Sequence, residues 1–184
     1  MSSVPKSKRK KHDFETPHRL HKLRLRVTEL AINDFGYDRQ KYEEKIQRFE
    51  TGLMDFERKA EVVAKMRKKN ESYYSEFVAE ETIITRDIAR RIICEFEIGN
   101  SIFPTGEARV AEFRKRREHL DECIGWLFSL KQELQYIAEV LPCDLNKFAY
   151  ISQEIEAIIV MVKGVRRSAN RFLKRKPRKE EKDV

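Results

Sequence analysis

Apolar residues recur at alternating spacings of three and four along two long stretches of this chain. Leu120, Cys123, Leu127, Leu130, Leu134, Ile137 and Leu141 form one run. Phe148, Ile151, Ile155, Ile158, Val162, Val165, Ala169 and Phe172 form the other. The period is that of an α-helix, and its persistence marks the seam of a helical bundle. Pro142 separates the two runs and Asp144 is placed to cap the second. Two long helices joined so briefly are expected to lie antiparallel.

Weaker patterns precede them. Thr16 and Pro17 read as the N-cap and first residue of a helix carrying Leu20, Leu23, Val27 and Leu30 on one face, with Gly36 as its left-handed C-terminal cap. A shorter helix is expected from Asp38, with Tyr42, Ile46 and Phe49 on one side and Gly52 at its end. No Gly or Pro interrupts the chain from Leu53 to Ile98, and Gly99 closes that run. A single helix of that length would reach roughly 69 Å, longer than its neighbours can cover, so a break is expected near "KKNESYY", with Asn70 or Ser72 starting a new helix. Beyond it Phe77, Ile84, Ile88, Ile92 and Phe96 supply an apolar side, and Glu61 with Lys65 and Asp87 with Arg91 make favourable i,i+4 pairs. "GNSIFPTG" reads as a loop, with Thr105 capping the helix that follows.

The expected fold is all-α: an antiparallel four-helix bundle with an extra helical segment and basic terminal tails. Its helices are the first one and those after Ser72, Thr105 and Asp144, with the segment between the first two as an excursion at one end. The divisions expected are a basic disordered arm over 1–15, the bundle over 16–174 and a charged disordered tail over 175–184. The seams are equally suited to facing a second copy, so a homo-oligomer is expected.

Composition agrees with a helical protein and narrows the function classes. Charged residues make up 38% of the 184, against only six Gly and five Pro, which leaves long stretches without helix breakers. Cys94, Cys123 and Cys143 are odd in number and widely spaced, a pattern of neither a disulfide framework nor a zinc site. The longest apolar run, "IIVMV", is far below the ~20 residues that span a bilayer. No hydrophobic segment follows the basic start, so it is not a secretory signal, although in a eukaryote it would pass for a nuclear one. A cytoplasmic protein away from membranes is the expectation.

Charge is where the sequence departs from an ordinary solvated bundle. The net charge is +8, yet the first twelve residues carry +5, residues 163–179 carry +9 and the last five −2, which leaves −4 on the body between. From Lys163 to Lys179 there is no Asp or Glu. Cations at a helix C-terminus meet the negative end of the macrodipole, but that benefit is confined to the last turn, whereas this block begins at Lys163 and continues past Pro177. A one-sign block points to an anionic partner, with a solvated tail or an acidic protein surface as the competing readings. The candidate nucleic-acid-binding residues are Lys8, Arg9, Lys10 and Lys11 in the arm, and Lys163, Arg166, Arg167, Arg171, Lys174, Arg175 and Lys176 at the other end. Arg167, Asn170, Arg171 and Lys174 share one face opposite the apolar stripe. Arg19, Lys22, Arg24 and Arg26 form a further cluster on the first helix, and Arg114 to Arg117 another, each read equally as contact surface or solvated face.

Catalytic patterns are lacking. His12, His18, His21 and His119 fit no metal-ligand spacing, and there is no P-loop or nucleophile elbow. Cys123 on the seam acts as a small hydrophobe. Glu81, between Phe77 and Ile84, is expected to pair with a cation across the bundle. Tyr73, Tyr74 and Tyr136 are candidate base-stacking platforms, but their place beside apolar stripes favours packing. No catalytic residue, cofactor or metal is assigned.

Five segments, "VPKSKRKK", "NDFGY", "IGNSIFP", "LKQELQYI" and "KGVRRSANRFLK", together resemble small bacterial helical proteins, the accessory variability determinants of diversity-generating retroelements. The likeness extends along most of the chain. It implies a four-helix-bundle subunit of a pentameric barrel, a non-enzymatic partner of a reverse transcriptase that binds RNA or DNA and assists cDNA synthesis. The basic arm and the extra helical segment depart from the compact members of that group, and no individual binding residue is carried over. The rival reading is a helical oligomeric adaptor whose basic ends touch acidic protein surfaces and which has no nucleic-acid role.

Overall fold

In the computed structural model, residues 12–52 and 58–171 are described, and all their regular structure is helical. The helices are α1 (His12–Ile32), α2 (Arg39–Thr51), α3 (Lys59–Ser72), α4 (Val78–Ser101), α5 (Arg109–Val140) and α6 (Leu145–Ser168). A 3-10 turn (Asp34–Gly36) follows α1, and one π-helical turn (Tyr73–Phe77) lies between α3 and α4.

Buried stripes join four of these helices. Every apolar residue of the α5 seam from Leu120 to Leu141 is buried, as are Phe148, Ile151, Ile155, Ile158 and Val162 of α6. Leu20, Leu23, Val27 and Leu30 of α1 and Ile88, Ile92 and Phe96 of α4 join them in one core. Helix α4 packs on both α1 and α5, and α6 packs on both α5 and α1. Side-chain pairings fix the directions. Lys131 and Arg166 reach Glu156 and Asp121 between α5 and α6, and Arg26 reaches Glu154 between α1 and α6. Thr82 Oγ1 donates to the Ala31 carbonyl, and Glu95 meets His119 at 2.7 Å. Second contacts set the sense of the other pairs: Gly99 with Arg116 between α4 and α5, Asn33 beside Asn146 between α1 and α6, and His21 beside Arg90 between α1 and α4. In each pair of helices the numbers rise on one as they fall on the other, so neighbouring helices are antiparallel.

Helices α2 and α3 form a smaller hairpin. Asp38 caps α2 by accepting from the Lys41 N–H at 3.0 Å, as its position in the sequence implies. The hairpin is tied to the end of α1 by Tyr37, whose hydroxyl donates to Asn70 while Asn70 Nδ2 donates to Glu43 at 3.2 Å. Tyr73 packs edge to face on both Tyr37 and Tyr42, which are tilted to each other, with centroids about 6 Å apart. Burial there pushes the Tyr37 hydroxyl up to about 12. The turn before it is left-handed at Asp34, Phe35 and Gly36. A left-handed Phe costs about 1–2 kcal/mol, which complete burial of the Phe35 ring offsets.

Four local expectations are corrected. Helix α1 begins at His12, so Thr16 and Pro17 lie inside it, with Thr16 buried; Pro17 costs one ladder hydrogen bond near the helix start, where the loss is smallest. The path from α3 to α4 is not cut by a cap: the extra residue of the π turn re-phases the helix, while Asn70 is drawn inward by Tyr37. Helix α5 starts at Arg109 rather than after Thr105, whose N–H is taken by the Glu112 carboxylate at 3.0 Å. Gly99 lies inside α4 instead of ending it.

Glu81 is also corrected. It is 5% exposed, and its neighbour across the helix pair is another carboxyl, Glu133, rather than a cation. Its Oε2 has no hydrogen-bond partner among the described residues. Burial first, then Glu133 and Glu80, push the Glu81 carboxyl up to about 7. Because the folded value lies above the ordinary 4.5, the fold binds this proton more tightly than the unfolded chain does. The stabilisation is complete below about pH 4.5 and is lost as pH rises through about 7. Urea midpoints should therefore fall between pH 5 and pH 8 by the equivalent of about 2–3 kcal/mol. Glu81→Gln should flatten that dependence, and a variant with an unchanged pH profile would remove Glu81 as its source.

Candidate nucleic-acid interface

Helix α6 positions the described part of the C-terminal basic block. Asp144 accepts from the Asn146 N–H at 3.0 Å to start it, and its apolar stripe fixes its rotation against α5 and α1. Its regular turns end at Ser168, and Ala169 closes the helix by donating to the Val165 carbonyl at 3.2 Å.

The four described cations of the block separate into two pairs. Lys163 and Arg166 are half-buried and turned toward α5. Lys163 Nζ lies 5.6 Å from the Phe128 ring centroid, and Arg166 is hydrogen-bonded to Asp121, which Arg117 also approaches at 3.7 Å. Arg167 and Arg171 are exposed. Asp121 thus supplies from α5 a counter-charge that the block itself lacks. Lys8, Arg9, Lys10, Lys11, Lys174, Arg175 and Lys176 lie outside the described residues, as does the proposed arm up to residue 11 and the tail over 175–184.

The antiparallel order decides where the basic segments sit. With Arg26 level with Glu154, the start of α1 lies beside the end of α6. Helix α4 ends and α5 begins at this same end, so Arg114 to Arg117 join it. The start of α1, the end of α6 and the start of α5 therefore lie at one end of the described molecule.

Of the "RKRR" cluster, however, one member is not surface. Arg116 is 6% exposed, and its Nη1 donates to the carbonyls of Gly99 (2.9 Å), Asn100 (3.0 Å) and Ile102 (2.8 Å). Its Nη2 reaches Asn100 Oδ1 at 3.2 Å. It closes the C-terminus of α4, where helix carbonyls lack backbone donors, while Arg114 and Arg117 stay exposed.

Aromatic side chains enter the surface in ways the periodicity alone did not single out. Phe128 is 47% exposed beside Lys163, and Tyr150 is exposed with the Arg26 guanidinium 5.1 Å from its centroid. Both lie off the apolar stripe of their helix, which was the available signal. Of the tyrosines that the sequence singles out, Tyr73 packs against Tyr37 and Tyr42. Tyr74 is exposed under Arg39, and Tyr136 meets Phe77 while remaining half exposed.

Among the described residues no three His, Cys, Asp or Glu side chains cluster to hold a metal, and none of the helices is long and apolar enough to cross a membrane. Cys94, Cys123 and Cys143 are free thiols, and burial pushes Cys123 up to about 12, so it stays protonated. Comparison of the chain with protein-family models, with curated proteins and with solved structures finds no match.

Proposed function

We propose that this protein is a non-enzymatic, homo-oligomeric nucleic-acid-binding accessory of a reverse transcriptase, with α1, α4, α5 and α6 as a four-helix bundle that presents basic segments to RNA or DNA. The observation that carries the reading is that the start of α1, with Arg19 and Lys22, the end of α6, with Arg167 and Arg171, and Arg114, Lys115 and Arg117 of α5 lie at one end of the described molecule. Cations separated by most of the sequence thereby share one surface, which suits a phosphate backbone better than an isolated helix dipole would. The cyclic contacts among the four helices support the bundle, and the resemblance of the five quoted segments to retroelement accessory proteins is what suggests the polymerase partner. Phosphate contacts position without specifying, so binding should be salt-steep and weakly dependent on sequence.

Fluorescence anisotropy of labelled RNA and duplex DNA across a salt series tests this. Arg167→Ala combined with Arg171→Ala should weaken binding to every sequence and reduce the salt slope by about 0.9 for each phosphate left without its cation. Unaltered affinity in that double variant would remove α6 from the interface.

A second reading has its own observation. The groove between α1 and α4 exposes Leu25 (69%) and Ile83 (71%) beside Arg24, Arg86 and Arg90. Apolar positions flanked by cations suit an acidic amphipathic helix of a protein partner. An adaptor of that kind predicts no nucleic-acid affinity even at low salt.

A further inference from the structure

A cleft of about 500 Å3 lies between the end of α1 and the start of α6, at the opposite end from the start of α1 and the end of α6. That volume is of the size that small planar ligands occupy. Tyr150 lines it and is 57% exposed, an unusual position for a large ring whose helix is packed on its other side. Arg26 lies over this ring at 5.1 Å, and the guanidinium is held by its hydrogen bond to Glu154. Tyr150 and Arg26 thus set an aromatic ring and a fixed cation side by side in the lining of the cleft, groups on which a planar ligand can stack.

The rim supplies groups that read edges. Asn33 donates one amide hydrogen to the Glu29 carbonyl at 2.9 Å, and Asn146 donates one to Asp144 Oδ1 at 3.0 Å. Each retains a second hydrogen and a carbonyl oxygen, the mixed donor and acceptor set that a nucleobase edge presents in return. Glu154 neutralises Arg26 and the Glu29 carboxylate also lines the cleft, so its floor does not favour a strongly anionic ligand, and Lys147 at the rim, with no carboxylate paired to it among the described residues, can take a phosphate. Lys22 stands one turn before Arg26 on α1, while Arg19 is paired with Glu15 at 2.9 Å.

We propose that this cleft is a nucleobase subsite that takes one unpaired base of a single strand, stacked on Tyr150, with its edge against Asn33 and Asn146 and an adjacent phosphate at Lys147. The inference rests on the nucleic-acid reading above and adds to it a preference for single strands, because a base inside a duplex cannot enter.

The test uses the full chain and an oligoribonucleotide of about twelve residues carrying a central 2-aminopurine, both single-stranded and annealed to its complement. Wild type should bind the single strand with a change in 2-aminopurine fluorescence. Tyr150→Ala should lower single-strand affinity about tenfold and abolish that change while leaving duplex affinity as it was. Tyr150→Phe, which keeps the ring, should behave as wild type and shows that the loss is one of stacking. Wild-type affinity and fluorescence in Tyr150→Ala, or an equal loss for both nucleic acids, would overturn the subsite while the nucleic-acid reading stood. Failure of the wild type to bind either probe at low salt would overturn both.

Discussion

Replacing Arg116 by Met should cost about 3–4 kcal/mol and lower Tm by on the order of 10 °C. Its side chain donates to three carbonyls at the end of α4 and to the Asn100 side chain. Met fills similar volume but donates nothing, so the carbonyls of Gly99, Asn100 and Ile102 are left at a helix end where no backbone donor replaces the guanidinium. Hydrogen bonds to a charged group contribute about 1.5–3 kcal/mol each when broken singly, and partial access of water to Asn100 and Ile102 keeps the total below their sum. Arg116→Lys should recover part of the loss, since an ammonium reaches fewer of these acceptors at once. Arg114→Met and Arg117→Met, on exposed neighbours, should change stability by no more than about 0.5 kcal/mol. Urea unfolding of the four variants decides the matter: equal midpoints for Arg116→Met and Arg114→Met would show that Arg116 does not close the helix.

The second large effect is expected beside it. A Cβ built on Gly99 would lie 3.2 Å from the Arg116 carbonyl oxygen, from His119 Cβ and from Leu120 Cγ. The first belongs to and the second adjoins the α5 backbone, which cannot yield as the tip of a flexible side chain would, and the third is in a fully buried side chain. Gly99→Val should therefore force α4 and α5 apart and cost about 3 kcal/mol, by overpacking. Gly99→Ala sets the same clash against a helix-propensity gain of about 1 kcal/mol and should still be destabilising. Gly125 and Gly164 are the internal controls, because nothing lies within 4 Å of a Cβ at either. Their replacement by Ala should stabilise by about 0.5–1 kcal/mol each. A Gly99→Val protein as stable as wild type would mean that the two helices do not approach so closely at this crossing.

Arg116 and Gly99 also mark where local pattern stops being informative. "RKRR" reads as four equivalent surface cations, since nothing in the string distinguishes the one whose helical position turns it toward the end of α4. Gly99 reads as a helix stop because glycine ends helices often, but the alternative, a close crossing, depends on a partner helix that the local sequence does not contain. Glu81 misleads in the same way: its neighbours along the chain are apolar, and the identity of the group it faces is a property of α5.

What the sequence determined by itself is whatever depends on periodicity and on neighbours a few residues away. The helical class, the α5 stripe, the α6 stripe from Phe148 to Ala169, the Asp38 and Asp144 caps and the left-handed Gly36 follow from spacing and backbone sterics and are present, while Phe172 lies outside the described residues. The basic composition of both ends was equally legible. The tertiary structure alone settles which cations stay exposed, that Asp121 answers Arg166, that Tyr150 opens into a cleft beside Arg26, and that the start of α1 comes beside the end of α6. The reason is geometric: a helix fixes the direction of each side chain relative to its own axis, but the distance from residue 26 to residue 154 exists only once the core has set the helices side by side.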